Sequence, residues 1–477
     1  MYAYYIVCIL HTIQKNVSFP KTPPPQPPFP PDQLLRWFVR LLPGRALRKL
    51  PALQSKSFYD RLFNPLVTLW YLLFQRLHSD HTLESALADA RSGGADRLNQ
   101  KLSRGLVSNS TCSYSDARQR LPWQFLAQAL VLQARNIIGL SPSTLWHGWV
   151  VCLLDGSTVR LRSNKDLVKQ FPPNSNQYGR PYWCLMRVVV GFCALSGAAL
   201  DCAIGPLGLS EQALACQIIL ASSPKCLFIG DSNFGVFRIA QAARHCAQGL
   251  LVRMTKVRAR NLLGRRLKPG EHEVLWKPTR RNQLSEGQSR EPIAGRLLIV
   301  TLQRKGFRPQ TLYLFTTLPN TSEYSLQELV ALYGLRWQVE LNLRYLKAQM
   351  DLVQLETKSA DMARKEWLAG LLAYNLIRAA QLCAAVQKGI SPLSLSFSSV
   401  RRRLEGWLRQ FGRDPKQQLC MQWAELLEQI ARCTLPGRRK PRPNEPRAQR
   451  HLRLAYLPLY GSRAAARKQL GKYRSKS

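Results

Sequence analysis

The sequence has few acidic residues for its length. Asp and Glu number 28 against 69 Lys and Arg among 477 residues, so the formal net charge is +41. Folding alone does not require such an excess of positive charge. It indicates a polyanionic partner, for which nucleic acid is the first candidate and an anionic membrane surface the weaker alternative. Because acids are scarce, each one at the end of a predicted strand is a candidate functional residue.

Several other motifs are missing. The twelve cysteines form no Cys-x-x-Cys pair and there is no His-x-His, which argues against a structural zinc site. Their scattered spacing does not resemble a secreted disulfide framework, so reduced thiols in a cytosolic protein are expected. No Gly-x-x-x-x-Gly-Lys-Ser/Thr loop supports ATP-driven action. Of the seven histidines only His78 and His81 are close in sequence, and a surface or packing role is expected for them.

The sequence also lacks an obvious membrane segment. The apolar run in MYAYYIVCILHTIQK at the N-terminus is too short to span a bilayer, and it has neither a preceding basic region nor a cleavage site. No other stretch approaches a membrane span by inspection. We therefore expect no signal peptide and no membrane association.

The apolar pattern divides the chain into regions of different structure. Residues 19–31 are proline-rich and predict an extended tail. A helical pattern from residue 32 to about 140 is followed by strands and helices in the order β-β-β-α-β-α-β, which predicts a mixed sheet with flanking helices. A basic, strand-rich stretch from about 255 to 323 interrupts this pattern. More helices follow, and the tail from Gly437 is dense in Arg and Lys.

Two aspartates follow apolar runs that predict buried strands. Asp155 ends WVVCLLDG (149–156), and Asp231 lies in CLFIGDSNFG (226–235). Each is predicted to end its strand and to precede a turn. Functional side chains often emerge at strand ends of such sheets, although an aspartate there can equally start a turn or cap a helix.

The segment YGLRWQVELNLRYLK (333–347) predicts a helix with an unusual polar stripe. At about 100° per residue, Tyr333, Arg336, Glu340 and Lys347 fall within roughly 60° of one another. The apolar residues lie on a separate arc: Leu332, Leu335, Val339, Leu343, Leu346 and Met350. An exposed face with Arg–Glu support four residues apart would give the same pattern.

The three acids suggest a common chemistry. If the strands bearing Asp155 and Asp231 are neighbours and the helix packs across them, Glu340 completes a group of three carboxylates. Such a group needs bound positive charge, and Mg²⁺ with oxygen ligands is typical. Two ions about 3.5–4 Å apart can promote displacement at a phosphodiester. Arg336 and the neighbouring stripe residues would then contact phosphates.

These residues resemble a known family. The spacing Tyr-x2-Arg-x3-Glu-x6-Lys, complete as Tyr333, Arg336, Glu340 and Lys347, is similar to the signature of bacterial insertion-sequence DDE transposases of the YREK type. LLDGSTVRL (153–161) and FIGDSNFGVF (228–237) resemble the blocks around the first two acids of that family. The resemblance extends over roughly residues 60–410.

The resemblance implies an α/β fold: an RNase H-like mixed sheet with flanking helices, a β-rich insertion and an all-helical N-terminal domain. The composition indicates a proline-rich tail (1–31), which has no counterpart in that family. The remaining predicted divisions are a helical DNA-end-binding domain (32–146), the first part of the catalytic core (147–254), the insertion (255–323), the C-terminal helices of the core (324–395) and a helical, basic C-terminal region (396–477).

The resemblance also implies the chemistry and the partners. Asp155, Asp231 and Glu340 would be catalytic residues that hold two Mg²⁺ ions, replaceable by Mn²⁺. Tyr333, Arg336, Lys347 and Arg253 would bind DNA. The reaction would be cut-and-paste movement of an insertion sequence by phosphodiester hydrolysis and strand transfer. The partners would be the terminal inverted repeats, target DNA and a second subunit in a synaptic homodimer, in the bacterial cytoplasm at the nucleoid.

Relatives can hold a flipped base with a tryptophan of the insertion. Here Tyr313 is the nearest local counterpart, and Trp276 is the only tryptophan between residues 255 and 323. The base-holding residue is therefore left open.

Three other functions compete with this one. An RNase H-like nuclease would cut without joining, and a silent DNA-binding protein derived from a transposase would do neither. An aspartic protease is disfavoured, because Asp155 is followed by Gly-Ser rather than Ser-Gly and the segment after Asp231 lacks the glycine.

Overall fold

The structure is a computed structural model that describes most of the chain. It covers residues 33–435 except 55–61, 79, 97, 100, 103–106, 174–182, 223–224, 265, 280–290, 303–308, 319–322 and 411–415, together with 462 and 464–465. The predicted proline-rich tail and the basic tail after Gly437, apart from those last three residues, lie outside the described residues.

The N-terminal region is helical, as predicted. Its helices are α1 (Gln33–Leu41), α2 (Gly44–Arg48), α3 (Pro51–Gln54), α4 (Pro65–Leu77), α5 (Leu83–Arg91), α6 (Cys112–Arg120) and α7 (Trp123–Ile138). Helix α4 begins at Asn64, whose side chain accepts hydrogen bonds from the backbone N–H groups of Leu66 and Val67. Trp70 and Tyr71 of α4 are buried in the centre of this region.

A nine-stranded sheet follows, in the order β3-β2-β1-β4-β5-β8-β7-β6 with β9 beside β1. The strands are β1 (Val150–Leu161), β2 (Cys184–Cys193), β3 (Ala199–Pro206), β4 (Cys226–Gly230), β5 (Gly249–Arg253), β6 (Gly270–Trp276), β7 (Ile293–Leu302), β8 (Gln310–Thr316) and β9 (Gln354–Leu355). The helices between them are α8 (Lys165–Gln170), α9 (Glu211–Ala221), α10 (Phe237–His245) and α11 (Lys256–Leu263).

The first five strands form the predicted RNase H-like arrangement. β1, β2 and β3 are antiparallel, whereas β4 and β5 run parallel to β1 and to each other. Apart from the short helix α8, which the apolar pattern did not indicate, the elements follow the predicted order. The expected mixed sheet with flanking helices is therefore confirmed.

One prediction about β1 is wrong. Asp155 does not end its strand, because β1 continues to Leu161 and pairs with β2 along that whole length. The parallel pairing with β4 does end just before it, at Leu153 opposite Ile229. Asp155 therefore lies where one neighbouring strand stops and the other continues, which gives its side chain space on the β4 side.

The strands after residue 255 continue the same sheet. β8 pairs antiparallel with β5, and β7 and β6 follow it outward. Arg296 of β7 is almost fully buried and donates to the carbonyl oxygens of Leu318 and Tyr324, and it also forms an ion pair with Glu271. These contacts fasten the start of the next helix to the added strands.

The predicted helix over 333–347 is not one regular α-helix. α12 (Leu326–Gly334) ends before a 3₁₀ turn at Leu335–Trp337, and α13 (Gln338–Gln349) begins after it. The 3₁₀ turn is more tightly wound than an α-helix, so the predicted angles do not hold across it. The predicted apolar face is nevertheless buried in full.

The C-terminal helices are α14 (Ala360–Lys388), α15 (Phe397–Gln410) and α16 (Lys416–Ala431). α14 is the central helix, since it packs against α4 and α7 of the N-terminal region, against β3, and against α15 and α16. Its Glu366 accepts hydrogen bonds from Arg76 at 2.6 Å and Arg118 at 2.9 Å. The N-terminal helices and the sheet are thus packed on one helix.

α14 also corrects the expectation that no stretch approaches a membrane span. Among the described residues it is the one helix that is long and apolar enough to cross a bilayer, with a mean hydropathy of 1.3 in its most apolar window. In the folded chain 89% of that window is buried against other elements. Its composition matches that of a helix in the centre of a large core.

Candidate active site

Asp155 of β1 lies beside the end of the adjacent strand β4, and Asp231 is the first residue after β4. Leu153 of β1 lies opposite Ile229 of β4, and each aspartate comes two residues later. Side chains two residues apart in a strand share a face, and Leu153 and Ile229 lie in the same hydrophobic cluster. The Asp155 side chain is therefore on the Leu153 face, and Asp231 is close enough to raise the pKa of Asp155.

Glu340 reaches this face from α13. That helix packs against β1, and its Val339 and Leu343 are buried in the cluster that includes Leu153. The Glu340 carboxylate accepts a hydrogen bond from Nη2 of Arg336 at 3.0 Å. The glutamate side chain is 39% exposed whereas that of the arginine is 9% exposed, so the carboxylate remains open to solvent.

The electrostatics of Asp155 reflect these neighbours. Its pKa is raised to about 6, mainly by burial and to a smaller extent by the charges of Asp231 and Glu340. The backbone N–H of Gly156, which donates to Asp155 Oδ1 at 2.8 Å, and the Arg336 guanidinium both lower the pKa. The three predicted acids thus act on one another in the folded chain.

Tyr333 and Arg336 lie beside the acids but are not on an open surface. Tyr333 is 3% exposed, and its burial raises the pKa of the phenol to about 12. Arg336 stacks on the Trp337 ring, with Cζ 4.2 Å from the ring centroid. Arg253, the last residue of β5, lowers the pKa of the Tyr333 phenol, and Asp231 raises it, so both charges lie near this side chain.

Lys347 lies near Asp155 and Arg160. Burial lowers the pKa of its ammonium group, the positive charge of Arg160 lowers it further, and Asp155 raises it. Arg160, near the end of β1, is a basic neighbour that the sequence did not single out. Its position becomes evident only when β1 is known to continue past Asp155.

Comparison with known proteins agrees with this geometry. A family model for the transposase DDE domain matches residues 146–376, which include the three acids, the stripe of α12 and α13, and Arg253. Residues 146–376 therefore form a transposase DDE domain. A curated relative, the transposase InsG for insertion sequence element IS4 of Escherichia coli (strain K12), is 25% identical over 380 residues, covering 73% of this chain and 84% of that protein.

A solved structure also resembles the transposase. The cryo-EM structure of the piggyBac transposase synaptic complex with hairpin DNA matches with a TM-score of 0.39 and 11% identity, over 87% of this chain and 89% of the other.

A transposase DDE domain implies a requirement for a divalent metal. In the described part of the chain, no group of three or more His, Cys, Asp or Glu side chains is close enough together to hold an ion without movement. The chemistry of the donors nevertheless fits, because Asp231 and Glu340 both raise the pKa of Asp155 and such a group of carboxylates suits a hard cation. Glu340 is held by Arg336 and remains partly exposed, so its side chain has room to turn toward the aspartates.

Proposed function

We propose that Asp155, Asp231 and Glu340 are the catalytic carboxylates of this DNA transposase and that they hold two Mg²⁺ ions, for which Mn²⁺ can substitute. The observation that carries the proposal is the convergence of three acids from distant segments at the end of β4. When bound, the paired ions would activate the attacking oxygen of a phosphodiester displacement and stabilise the leaving oxygen.

The surrounding side chains orient the acids and the DNA backbone. Arg336 holds Glu340 through its hydrogen bond, and its planar guanidinium can also bind a phosphate. Lys347 and Arg160 supply positive charge near Asp155, and Arg253 supplies it near Tyr333. The buried Tyr333 is hydrogen-bonded to Arg336 through its side chain.

The DNA partners follow from the charge and the family. We infer that the transposase binds the terminal inverted repeats of an insertion sequence through the helical region 32–146 and moves the element by cutting and pasting it into target DNA. The formal charge of +41 supports extensive contact with phosphates. We further propose that the transposase acts as a homodimer in the synaptic complex. It would act in the bacterial cytoplasm at the nucleoid, without a membrane partner.

The test is cleavage and strand transfer with duplexes that carry the element's ends. Asp155→Asn, Asp231→Asn and Glu340→Gln should each abolish both steps with Mg²⁺ and with Mn²⁺. Asp201→Asn is the matched control. Burial raises the pKa of Asp201 on β3 to about 6, as at Asp155, and its Oδ1 likewise accepts the next backbone N–H, at 2.7 Å. The control should retain both steps.

The outcomes separate the competing functions. Cleavage without joining by the parent protein would indicate a nuclease. End binding without either step would indicate a silent DNA-binding protein. Full activity in any of the three acid variants would remove that acid from the proposed site.

A further inference from the structure

A fourth carboxylate lies next to the site on the other face of the sheet. Glu211 is the first residue of α9. The preceding residue, Ser210, caps the helix, since its Oγ accepts a hydrogen bond from the backbone N–H of Ala213 at 3.1 Å. The Glu211 side chain extends over Gly156, the residue after Asp155. It fills the space that a Cβ at Gly156 would occupy, and Glu211 Cγ is 2.8 Å from that point.

The position of Glu211 excludes it from the group of catalytic acids. Successive residues of a strand face opposite sides of the sheet, so the carboxylate against Gly156 lies opposite the Asp155 side chain. α9 packs there with Cys152 and Leu154, in a different hydrophobic cluster from α13. Any effect of Glu211 on the reaction must pass through another residue.

Asn233 is that residue. Its side-chain NH₂ group donates to Glu211 Oε2 at 2.8 Å, and its backbone N–H donates to Asp231 Oδ1 at 2.9 Å. Gln212 of the same helix donates to the backbone and side-chain oxygens of Asn233, at 2.9 and 3.2 Å. One residue thus connects the start of α9 to the second aspartate.

A second contact restrains the same turn from the other side. Nη1 of Arg258 on α11 donates to the carbonyl oxygens of Ser232 and Gly235, at 2.6 and 3.2 Å. The turn that carries Asp231 is therefore held between two helices. Of these contacts, the hydrogen bond from the Asn233 side chain to the Glu211 carboxylate is charge-assisted. The backbone N–H of the same asparagine donates to the Asp231 carboxylate.

We propose that Glu211 is a positioning residue that sets the Asp231 carboxylate for metal binding through Asn233. The inference rests on the proposed role of Asp231 as a metal ligand. It also explains the glycine after Asp155: a side chain at Gly156 would push Glu211 away from Asn233. Partners behind a metal ligand commonly change affinity about 10–100-fold when removed.

The experiment measures Mn²⁺ binding to the full-length, DNA-free protein by the loss of free-ion electron spin resonance signal. Glu211→Ala should weaken binding about 10–100-fold, and Glu211→Gln should restore most of it because the amide oxygen can still accept from Asn233. Gly156→Ala should weaken binding like Glu211→Ala. The double variant should be no weaker than either single one, since the added methyl group then has no carboxylate to displace.

Two controls address a purely structural role. Glu328→Gln alters another glutamate in the first turn of a helix, hydrogen-bonded to Ser325, and should leave Mn²⁺ binding unchanged. Hydrogen exchange without metal should be faster at the Asn233 amide in Glu211→Ala than in the parent. A loss of thermal stability with unaltered Mn²⁺ affinity and unaltered exchange would overturn the proposal.

The proposed function is tested separately by Asp231→Asn. If this variant loses Mn²⁺ while Glu211→Ala and Gly156→Ala keep it, the role of Glu211 is wrong and that of Asp231 stands. If Asp231→Asn binds Mn²⁺ like the parent, the role of Asp231 is wrong and the inference about Glu211 is overturned with it.

Discussion

Asp155→Asn should stabilise the metal-free transposase at neutral pH although it removes a proposed catalytic group. Burial and the two neighbouring acids make the ionised Asp155 unfavourable in the folded protein. Asparagine has nearly the same size and no charge, and its side-chain oxygen can still accept the Gly156 N–H. The substitution therefore removes the unfavourable charge and keeps the main hydrogen bond.

The size of the effect follows from the pKa. A rise from the ordinary value of 3.8 to about 6 favours the protonated form in the folded state. Stability is therefore highest below the unfolded pKa and is lost as the pH rises through about 6. Each pKa unit is about 1.4 kcal/mol, so the largest difference is about 3 kcal/mol near pH 8 and about half of that near pH 5. Solvent near the partly open site reduces both values.

The assay is urea unfolding in the presence of a chelator at about pH 5 and about pH 8. The variant should be more stable than the parent by on the order of 1–3 kcal/mol at the higher pH, with a smaller difference at the lower one. Added Mg²⁺ should then stabilise the parent and not the variant, because a ligand stabilises only the protein that binds it. A variant that is less stable at pH 8, or a difference that grows in acid, would refute the reasoning.

Three further predictions concern the rest of the fold. Glu366→Ala leaves two arginines without their carboxylate between the N-terminal helices and α14, and urea unfolding should show a loss on the order of 3 kcal/mol. Burial raises the pKa of Asp89 to about 6. The contribution of Asp89 to stability therefore falls as the pH rises from about 4 to about 7. Thermal melts of Asp89→Asn should lack that part of the pH dependence. Gly295→Ala would place a methyl group 2.5 Å from the Thr316 carbonyl oxygen, and thermal melts should show a loss of about 1–3 kcal/mol, whereas Gly208→Ala, with nothing within 4 Å, should be nearly neutral.

Much of the fold could be predicted because the apolar runs of the core strands are continuous and their turns are marked. The length of β1 could not. Gly156, Ser157 and Thr158 have the composition of a turn, yet β2 supplies partners for their backbone groups and keeps them in the strand. The 3₁₀ turn at Leu335–Trp337 could not be predicted either, because a tight turn within a helical stretch leaves the apolar pattern of the sequence unchanged.

The candidate site was likewise only partly predictable from the sequence. The three acids could be singled out because each lies in a distinctive local context. Glu211 could be assigned to the start of a helix, but its contact with Asn233 depends on how α9 is placed across the sheet. Arg160 could be identified as a neighbour of the site only once β1 was known to extend to Leu161. Contacts between distant segments leave no trace in local composition, so these neighbours emerged only from the folded chain.

The central position of α14 has a consequence for any shortened copy of this gene. The family match begins at residue 146, so a fragment starting there would keep all three acids and the whole sheet. It would nevertheless lack α4 and α7, which cover α14 along one side. The apolar helix α14 would then be exposed to solvent on that side, and we expect the fragment to aggregate or to be degraded. The region matched by the family model is therefore smaller than the region packed around α14.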